Sequence, residues 1–186
     1  EKIAHKDIKL RTFISQEAQR TTLASHVYDI TYGEVGPEDA LVCIDDSVVR
    51  GTTLKQSILK ILARTNPRSI LIASSAPQIR YPDCYGIDMA KMGDFIAFQA
   101  AVSLLRERGM DSVLDQAYAS AKTELAKPMA EQRNAVQAVY APFTDEELSD
   151  RIAHLLTPAG TRAEVKVVYQ TVADLHEACP NSPGDW

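Results

Sequence analysis

Residues 41–53 have the sequence LVCIDDSVVRGTT, in which an apolar run leads through two acids into a short polar turn. The apolar run is typical of a strand buried on both faces of a parallel sheet. Apolar residues then recur at helical spacing from residue 52 to residue 64, and Pro67 ends that helix because its ring disfavours helical backbone at Asn66. A second apolar run at residues 69–73 completes a predicted right-handed strand–helix–strand unit.

The two acids, Asp45 and Asp46, follow the first strand directly. In open α/β sheets the ligand crevice lies at the carboxyl ends of the strands, so both side chains are expected in a ligand site. Adjacent carboxylates repel each other unless a cation or hydrogen-bond donors accompany them. Mg²⁺ or the hydroxyl groups of a sugar would relieve this repulsion.

The turn after the acids favours an anion, whereas the acids favour a cation or hydrogen-bond donors. Gly51 permits close approach of the backbone, Ser47, Thr52 and Thr53 carry hydroxyl groups, and the start of the helix offers free N–H groups. These features predict a phosphate site, and acids for a ribose beside donors for a phosphate indicate a ribose 5-phosphate. The segment lacks the glycine patterns of P-loop and Rossmann sites. The alternative is an ordinary turn with solvated acids and a threonine that caps the helix.

The rest of the chain alternates strands and helices, which predicts an α/β fold with a parallel sheet and a helix-rich C-terminal half. Residues 74–93 are rich in Pro, Tyr and Gly, and predict a long ordered loop. The remaining predicted elements are a strand at 9–14, helices at 16–30, 94–108, 112–127 and 130–140, a helix opened by a capping box from Thr144 to Glu147, a strand at 163–169 and a helix at 171–178.

Composition narrows the class of protein. The 186 residues are 45% hydrophobic and 24% charged, which is enough to bury a core, and no apolar run is long enough to cross a membrane. The net charge of −5 without a clustered basic stripe argues against general nucleic-acid binding. Three widely spaced cysteines and four scattered histidines fit neither a disulfide framework nor a metal site, so we expect a reduced, cytoplasmic protein.

Residues 42–53 resemble the phosphoribosyl-pyrophosphate (PRPP) signature of the type I phosphoribosyltransferases, and in detail that of the amidophosphoribosyltransferases. Three further segments are similar to the same family: residues 11–14 (RTFI) to the end of its flexible active-site loop, residues 73–89 to the loop after the next strand, and residues 167–175, more weakly, to a late strand and helix. Strong resemblance covers residues 11–98 and weak resemblance residues 144–178.

The resemblance implies an enzyme that makes 5-phosphoribosylamine from PRPP and glutamine-derived ammonia, the first step of purine synthesis. In that reading Asp45 and Asp46 meet Mg²⁺ and the ribose hydroxyls, and Arg11 is a catalytic residue of the closing loop. The 5-phosphate is held by Ser47, Val48, Val49, Arg50, Gly51, Thr52 and Thr53. Purine nucleotides would be inhibitors, and the full-length parent would be a homo-oligomer.

The sequence also departs from the family pattern. No cysteine nucleophile opens the chain, and the family's pyrophosphate loop is not recognised, so we expect a C-terminal fragment without the glutaminase domain that supplies ammonia. Residues 1–98 would be part of the phosphoribosyltransferase core and residues 99–186 a helical extension. Cys84 lies one position away from the cysteine by which some relatives hold an iron–sulfur cluster, so we expect Mg²⁺ but no such cluster.

Two alternatives stay open. The chain could instead be a non-catalytic module that senses PRPP or a nucleotide with the same fold. The loop residues Arg80, Tyr81, Tyr85 and Asp88 could line an acceptor or inhibitor pocket, or they could be a packed structural loop.

Overall fold

The computed structural model describes residues 4–6, 28–30, 33–82 and 91–181. The predicted strand at 9–14 and most of the predicted helix at 16–30 lie outside these ranges. The end of that helix is wrong: Tyr28–Ile30 forms a strand, β2, which pairs antiparallel with Ala4–Lys6, β1. Pairing between residues far apart in sequence has overridden a modest helical pattern here.

Three parallel strands form the main sheet. They are Ala40–Asp45 (β3), Ser69–Ser74 (β4) and Glu164–Tyr169 (β5), with β4 in the centre. The register places Asp45 beside Ser74 and Ser74 beside Tyr169 at the carboxyl ends. The predicted parallel sheet of an α/β phosphoribosyltransferase-like fragment is therefore confirmed.

One face of this sheet is buried and the other is largely open. Leu41, Ile70, Ile72 and Val167 lie on the buried face. On the opposite face the exposed fractions are 62% for Val42, 82% for Ile44 and 52% for Val168. The prediction that the first strand is buried on both faces is wrong, because an apolar run does not show whether a second layer covers it.

The helix between β3 and β4 begins with an unusual turn. Leu54–Ile58 is a π-turn, in which the N–H of Leu59 donates to the carbonyl of Leu54, and Leu59–Arg64 (α1) continues as a regular α-helix. A left-handed residue, Asn66, follows the helix with φ of 54°. The predicted helix from residue 52 to residue 64 and its end before Pro67 are thus present.

Contacts divide the chain into two compact units, called here the sheet unit (Glu1–Gln78 with Leu156–Trp186) and the helical unit (Ile79–Leu155). The sheet unit ends in helix Val172–Ala178 (α6), which Thr171 caps through its hydroxyl. The functional division predicted at residue 98 stays a prediction. No described helix is long and apolar enough to span a membrane.

The helical unit contains Ile96–Glu107 (α2), Ser112–Leu125 (α3), the short helix Gln137–Tyr140 (α4) and most of Asp145–Leu156 (α5). The helix predicted at 130–140 is wrong: only Gln137–Tyr140 is α-helical, preceded by a single 3₁₀ turn at Met129–Glu131. The core is formed by fully buried side chains, which include Phe95, Ala100, Leu105, Leu148 and Ile152.

Candidate functional site

The site predicted from the sequence lies at the carboxyl end of β3. The backbone of the acid pair is tied to the next strand by two hydrogen bonds from Ser75: its N–H donates to the carbonyl of Asp45 at 3.0 Å, and its hydroxyl donates to the carbonyl of Asp46 at 3.2 Å. The chain leaving β4 therefore fixes the height of both acids above the sheet edge.

Each carboxylate uses one oxygen to hold the turn. The N–H of Asp46 donates to Oδ1 of Asp45 at 3.1 Å, and the N–H of Ser47 donates to Oδ1 of Asp46 at 2.7 Å. The Oδ2 atoms have no hydrogen-bond partner among the described residues. Two carboxylate oxygens are thus left for a ligand.

Electrostatics at the acid pair favour an added positive charge. Burial raises the pKa of Asp45, the N–H of Asp46 lowers it, and the neighbouring Asp46 carboxylate raises it further. A cation or a set of hydroxyl donors would relieve this penalty on the charged form. Burial, and then the charge of Asp45, also raise the pKa of the Cys43 thiol, so this cysteine stays protonated at neutral pH.

The loop after the acids is anchored in the core at Val48 and is exposed at its end. Val48 is 3% exposed and fixes the loop to the core, whereas Thr52 and Thr53 are exposed. Because the side chain of Val48 points into the core, only its backbone is left to meet a ligand.

The start of the helix presents unused donors. Gly51 adopts a φ of 69°, which favours glycine, and its carbonyl accepts the N–H of Lys55 at 2.9 Å. No described acceptor meets the N–H groups of Gly51, Thr52 and Thr53. Thr53 has helical backbone angles (φ −62°, ψ −43°), so it lies inside the helix and not at its cap, and its hydroxyl makes no hydrogen bond with a described residue.

The other predicted site residues have varied positions. Ser47, Val49 and Arg50 are half-buried in the same loop. Arg11 lies outside the described residues, as do Cys84, Tyr85 and Asp88, so their predicted roles stay predictions. The described part of the chain contains no group of three or more His, Cys, Asp or Glu that could hold a metal ion by protein ligands alone.

Two residues near the site were missed by sequence reasoning. Ser75 positions the acids, and Tyr169 ends β5 in register with Ser74. The Tyr169 hydroxyl is buried without a partner among the described residues, and burial raises its pKa. The available signal was that residues which end or follow parallel strands meet at one edge of the sheet.

The described part of the loop after β4 is packed. Arg80 forms an ion pair with Asp145 and lies over the Tyr140 ring, 5.3 Å from its centroid. The Tyr140 hydroxyl donates to the carbonyl of Arg80 at 2.8 Å, and Tyr81 meets the same ring edge-on with centroids 5.6 Å apart. Arg80 and Tyr81 therefore lie in a packed loop, as the second of the two alternatives for this loop predicts.

Several curated proteins named amidophosphoribosyltransferase are similar to about half of this chain. The amidophosphoribosyltransferase of Haemophilus influenzae is 37% identical over 108 residues, 57% of this chain and 21% of that protein. The Escherichia coli protein of the same name is 38% identical over 77 residues (41% and 15%), and that of Staphylococcus epidermidis is 31% identical over 110 residues (55% and 21%). This chain is thus similar to a part of several amidophosphoribosyltransferases.

The resemblance predicted from residues 42–53 is thereby confirmed. The similarity falls in the C-terminal region of the amidophosphoribosyltransferases, and the chain spans only about a fifth of the length of the relatives it matches. No protein-family profile matches the chain.

Proposed function

We propose that this chain is the PRPP-binding part of an amidophosphoribosyltransferase, which makes 5-phosphoribosylamine from PRPP and glutamine-derived ammonia. The observation that carries the proposal is the close succession of two half-satisfied carboxylates and a helix start whose first N–H groups have no described acceptor. Few ligands need both within one short loop, and a ribose 5-phosphate does.

The two halves of the loop have separate roles in this proposal. The free Oδ2 atoms of Asp45 and Asp46 accept from the 2- and 3-hydroxyls of the ribose. The N–H groups of Gly51, Thr52 and Thr53 donate to the 5-phosphate, helped by the partial positive charge at the helix N-terminus. Because Gly51 has no side chain, the phosphate can approach this backbone closely.

The acid pair also fits Mg²⁺. This ion is usually bound through one or two carboxylates together with substrate phosphates and water, so a pair without a third protein ligand is the expected donor set. When bound, Mg²⁺ would neutralise charge on the pyrophosphate of PRPP. The same carboxylates suit no iron–sulfur cluster, since that requires thiolates.

The reaction needs no nucleophile from the described residues. Ammonia forms a bond to C1 of the ribose through its lone pair, the bond from C1 to the pyrophosphate oxygen breaks, and the pyrophosphate leaves with that electron pair. The product amine then loses a proton. Charge at C1 is positive in the transition state, so fixed carboxylates near the ribose favour it. Arg11 would shield the reacting centre from water by loop closure.

Titration with PRPP and Mg²⁺ tests the proposal. Asp45→Asn with Asp46→Asn should weaken binding about 100-fold, because each charged hydrogen-bonding group contributes about 1.5 kcal/mol. The matched control, Asp111→Asn with Asp115→Asn, removes the same charge from two exposed positions of the helical unit and should change binding less than twofold.

Two results separate the outcomes of this titration. Equal binding by the site and control variants would contradict the proposal. Tight binding of PRPP without transfer to ammonia, even by the longer protein that contains these residues, would favour the non-catalytic module.

A further inference from the structure

The helix after the candidate site carries an unusual charge pattern. Residues 52–64 include three cations, Lys55, Lys60 and Arg64, and no acid, in a chain whose net charge is −5. All three side chains are exposed, and none of them forms an ion pair with a described residue. By contrast, most arginines of the helical unit are paired with a carboxylate.

The helix macrodipole explains only part of this pattern. A cation in the last turn, such as Arg64, is favoured by the negative C-terminal end of a helix. Lys55 lies near the opposite end, where the dipole disfavours a positive charge. The helix dipole therefore does not explain the position of Lys55.

The three cations line one groove. Its walls are Lys55, Gln56, Lys60 and Arg64 of the helix, with Pro158 and Ala159 from the segment after α5, and its volume is about 680 Å³. All of these residues belong to the sheet unit. The Lys55 and Arg64 Cα atoms lie nine residues apart, about 13 Å along the axis.

The π-turn contributes to this alignment. In a regular α-helix, positions five apart such as Lys55 and Lys60 differ by about 140° around the axis. A π-turn contains about one more residue per turn, so the turn at Leu54–Ile58 reduces that difference. Such turns are frequent at functional sites.

We propose that this groove is a second anion site, which binds a small molecule carrying several phosphate groups. Three cations without an acid favour a multiply charged anion, and phosphate is a group that both Lys and Arg commonly bind. The volume is that of a small-ligand site. The lining part of the helix spans about 13 Å, the length of about four extended residues, which favours a compact anion over a longer acidic peptide. The site is separate from the 45–53 loop and stands whether or not PRPP binds there.

Calorimetric titration of the whole chain with inorganic tripolyphosphate tests the proposal. At low salt we expect one saturable site with a dissociation constant on the order of 0.1–1 mM, weakening as salt screens the charges. Lys60→Gln with Arg64→Gln should weaken binding about tenfold, since exposed charge pairs each contribute up to about 1 kcal/mol. The control, Arg68→Gln with Lys166→Gln, removes the same charge from exposed positions outside the groove and should change binding less than twofold.

Three results would overturn the proposal. Equal weakening by the groove and control variants would mean diffuse charge attraction. Tighter binding of hexaglutamate than of tripolyphosphate would assign the groove to an acidic peptide. Tripolyphosphate binding that the groove variant leaves unchanged and that ribose 5-phosphate displaces would place the anion in the 45–53 loop. Thermal unfolding of every variant confirms that each is folded.

Discussion

The sheet unit and the helical unit differ in what they leave unsatisfied. In the helical unit the arginines at 80, 108 and 151 pair with Asp145, Glu147 and Glu107, and a core of Phe95, Leu105, Leu148 and Ile152 is fully buried. In the described part of the sheet unit, several polar groups have no described partner: one oxygen of each carboxylate of the acid pair, the N–H groups of residues 51–53, and the cations Lys55, Lys60 and Arg64. One apolar face of the sheet is also open. We therefore expect the groups that bind ligands to lie in the sheet unit, whereas the ion pairs of the helical unit serve its own stability.

The largest expected effect concerns the core of the helical unit. Phe95→Ala removes a fully buried ring, which should lower the free energy of unfolding by about 3–5 kcal/mol through lost burial and the cavity left behind. Urea denaturation followed by circular dichroism measures this change. Tyr118→Ala, at a 65% exposed aromatic of the same unit, is the control and should cost less than about 1 kcal/mol. Similar losses for both would contradict the assignment of this core.

A smaller effect is expected at the start of α5. The Thr144 hydroxyl accepts the N–H of Glu147 at 3.1 Å, and the Glu147 carboxylate accepts the N–H of Thr144 at 2.8 Å. Thr144→Ala breaks this capping box and should cost about 1 kcal/mol of stability. Thr123→Ala, which removes an exposed hydroxyl from within α3, should stay within about 0.5 kcal/mol. A loss no larger than that of the control would show that the cap does not stabilise the unit.

In the sheet unit, Ser75→Ala tests the positioning of the acids. Removing the hydroxyl that donates to the Asp46 carbonyl should weaken Mg²⁺-dependent PRPP binding about threefold to fivefold, with about 1 kcal/mol or less of lost stability. Ser69→Ala, at the other end of β4, is the control. If the two variants bind PRPP equally, the connection between β4 and the acid pair has no role in binding.

The smallest effect is a dependence on pH in the helical unit. Hydrogen bonds from the Thr144 N–H and then from Arg108 lower the pKa of Glu147 below its ordinary value. A carboxylate with a lowered folded pKa stabilises the protein above its unfolded pKa, and this contribution is lost as pH falls below about 4.5. The wild-type urea midpoint should therefore fall more between about pH 6 and pH 3 than that of Glu147→Gln. If the urea midpoints of the two proteins fall equally with pH, Glu147 does not contribute to the pH dependence of stability.

Local signals in the sequence were sufficient for the strand, turn and helix from residue 41 to residue 64. The apolar run, the acids, Gly51 and Pro67 each act on their immediate neighbours, so their effects are readable along the chain. The capping box at Thr144 was predicted for the same reason.

Non-local structure was not readable in this way. The pairing of Tyr28–Ile30 with Ala4–Lys6, the open face beside Ile44 and the bonds from Ser75 to the acids all depend on residues distant in sequence. The helix predicted at 130–140 failed because residues 131–134 (EQRN) are all polar and offer no apolar face to bury before Val136. Of the candidate site, the residue types were predictable from the sequence, whereas the N–H groups of residues 51–53 without a described acceptor and the Oδ2 atoms without a described partner required the structure.

The most direct test of the central claim is to follow the backbone amide signals of the ¹⁵N-labelled chain by NMR during titration with ribose 5-phosphate. Binding at the proposed site should shift the amides of Gly51, Thr52 and Thr53 most, since their N–H groups would gain an acceptor. Adding Mg²⁺ with PRPP should extend the shifts to Asp46 and Ser47. Saturable shifts centred elsewhere in the chain, with the amides of 51–53 unchanged, would contradict the account.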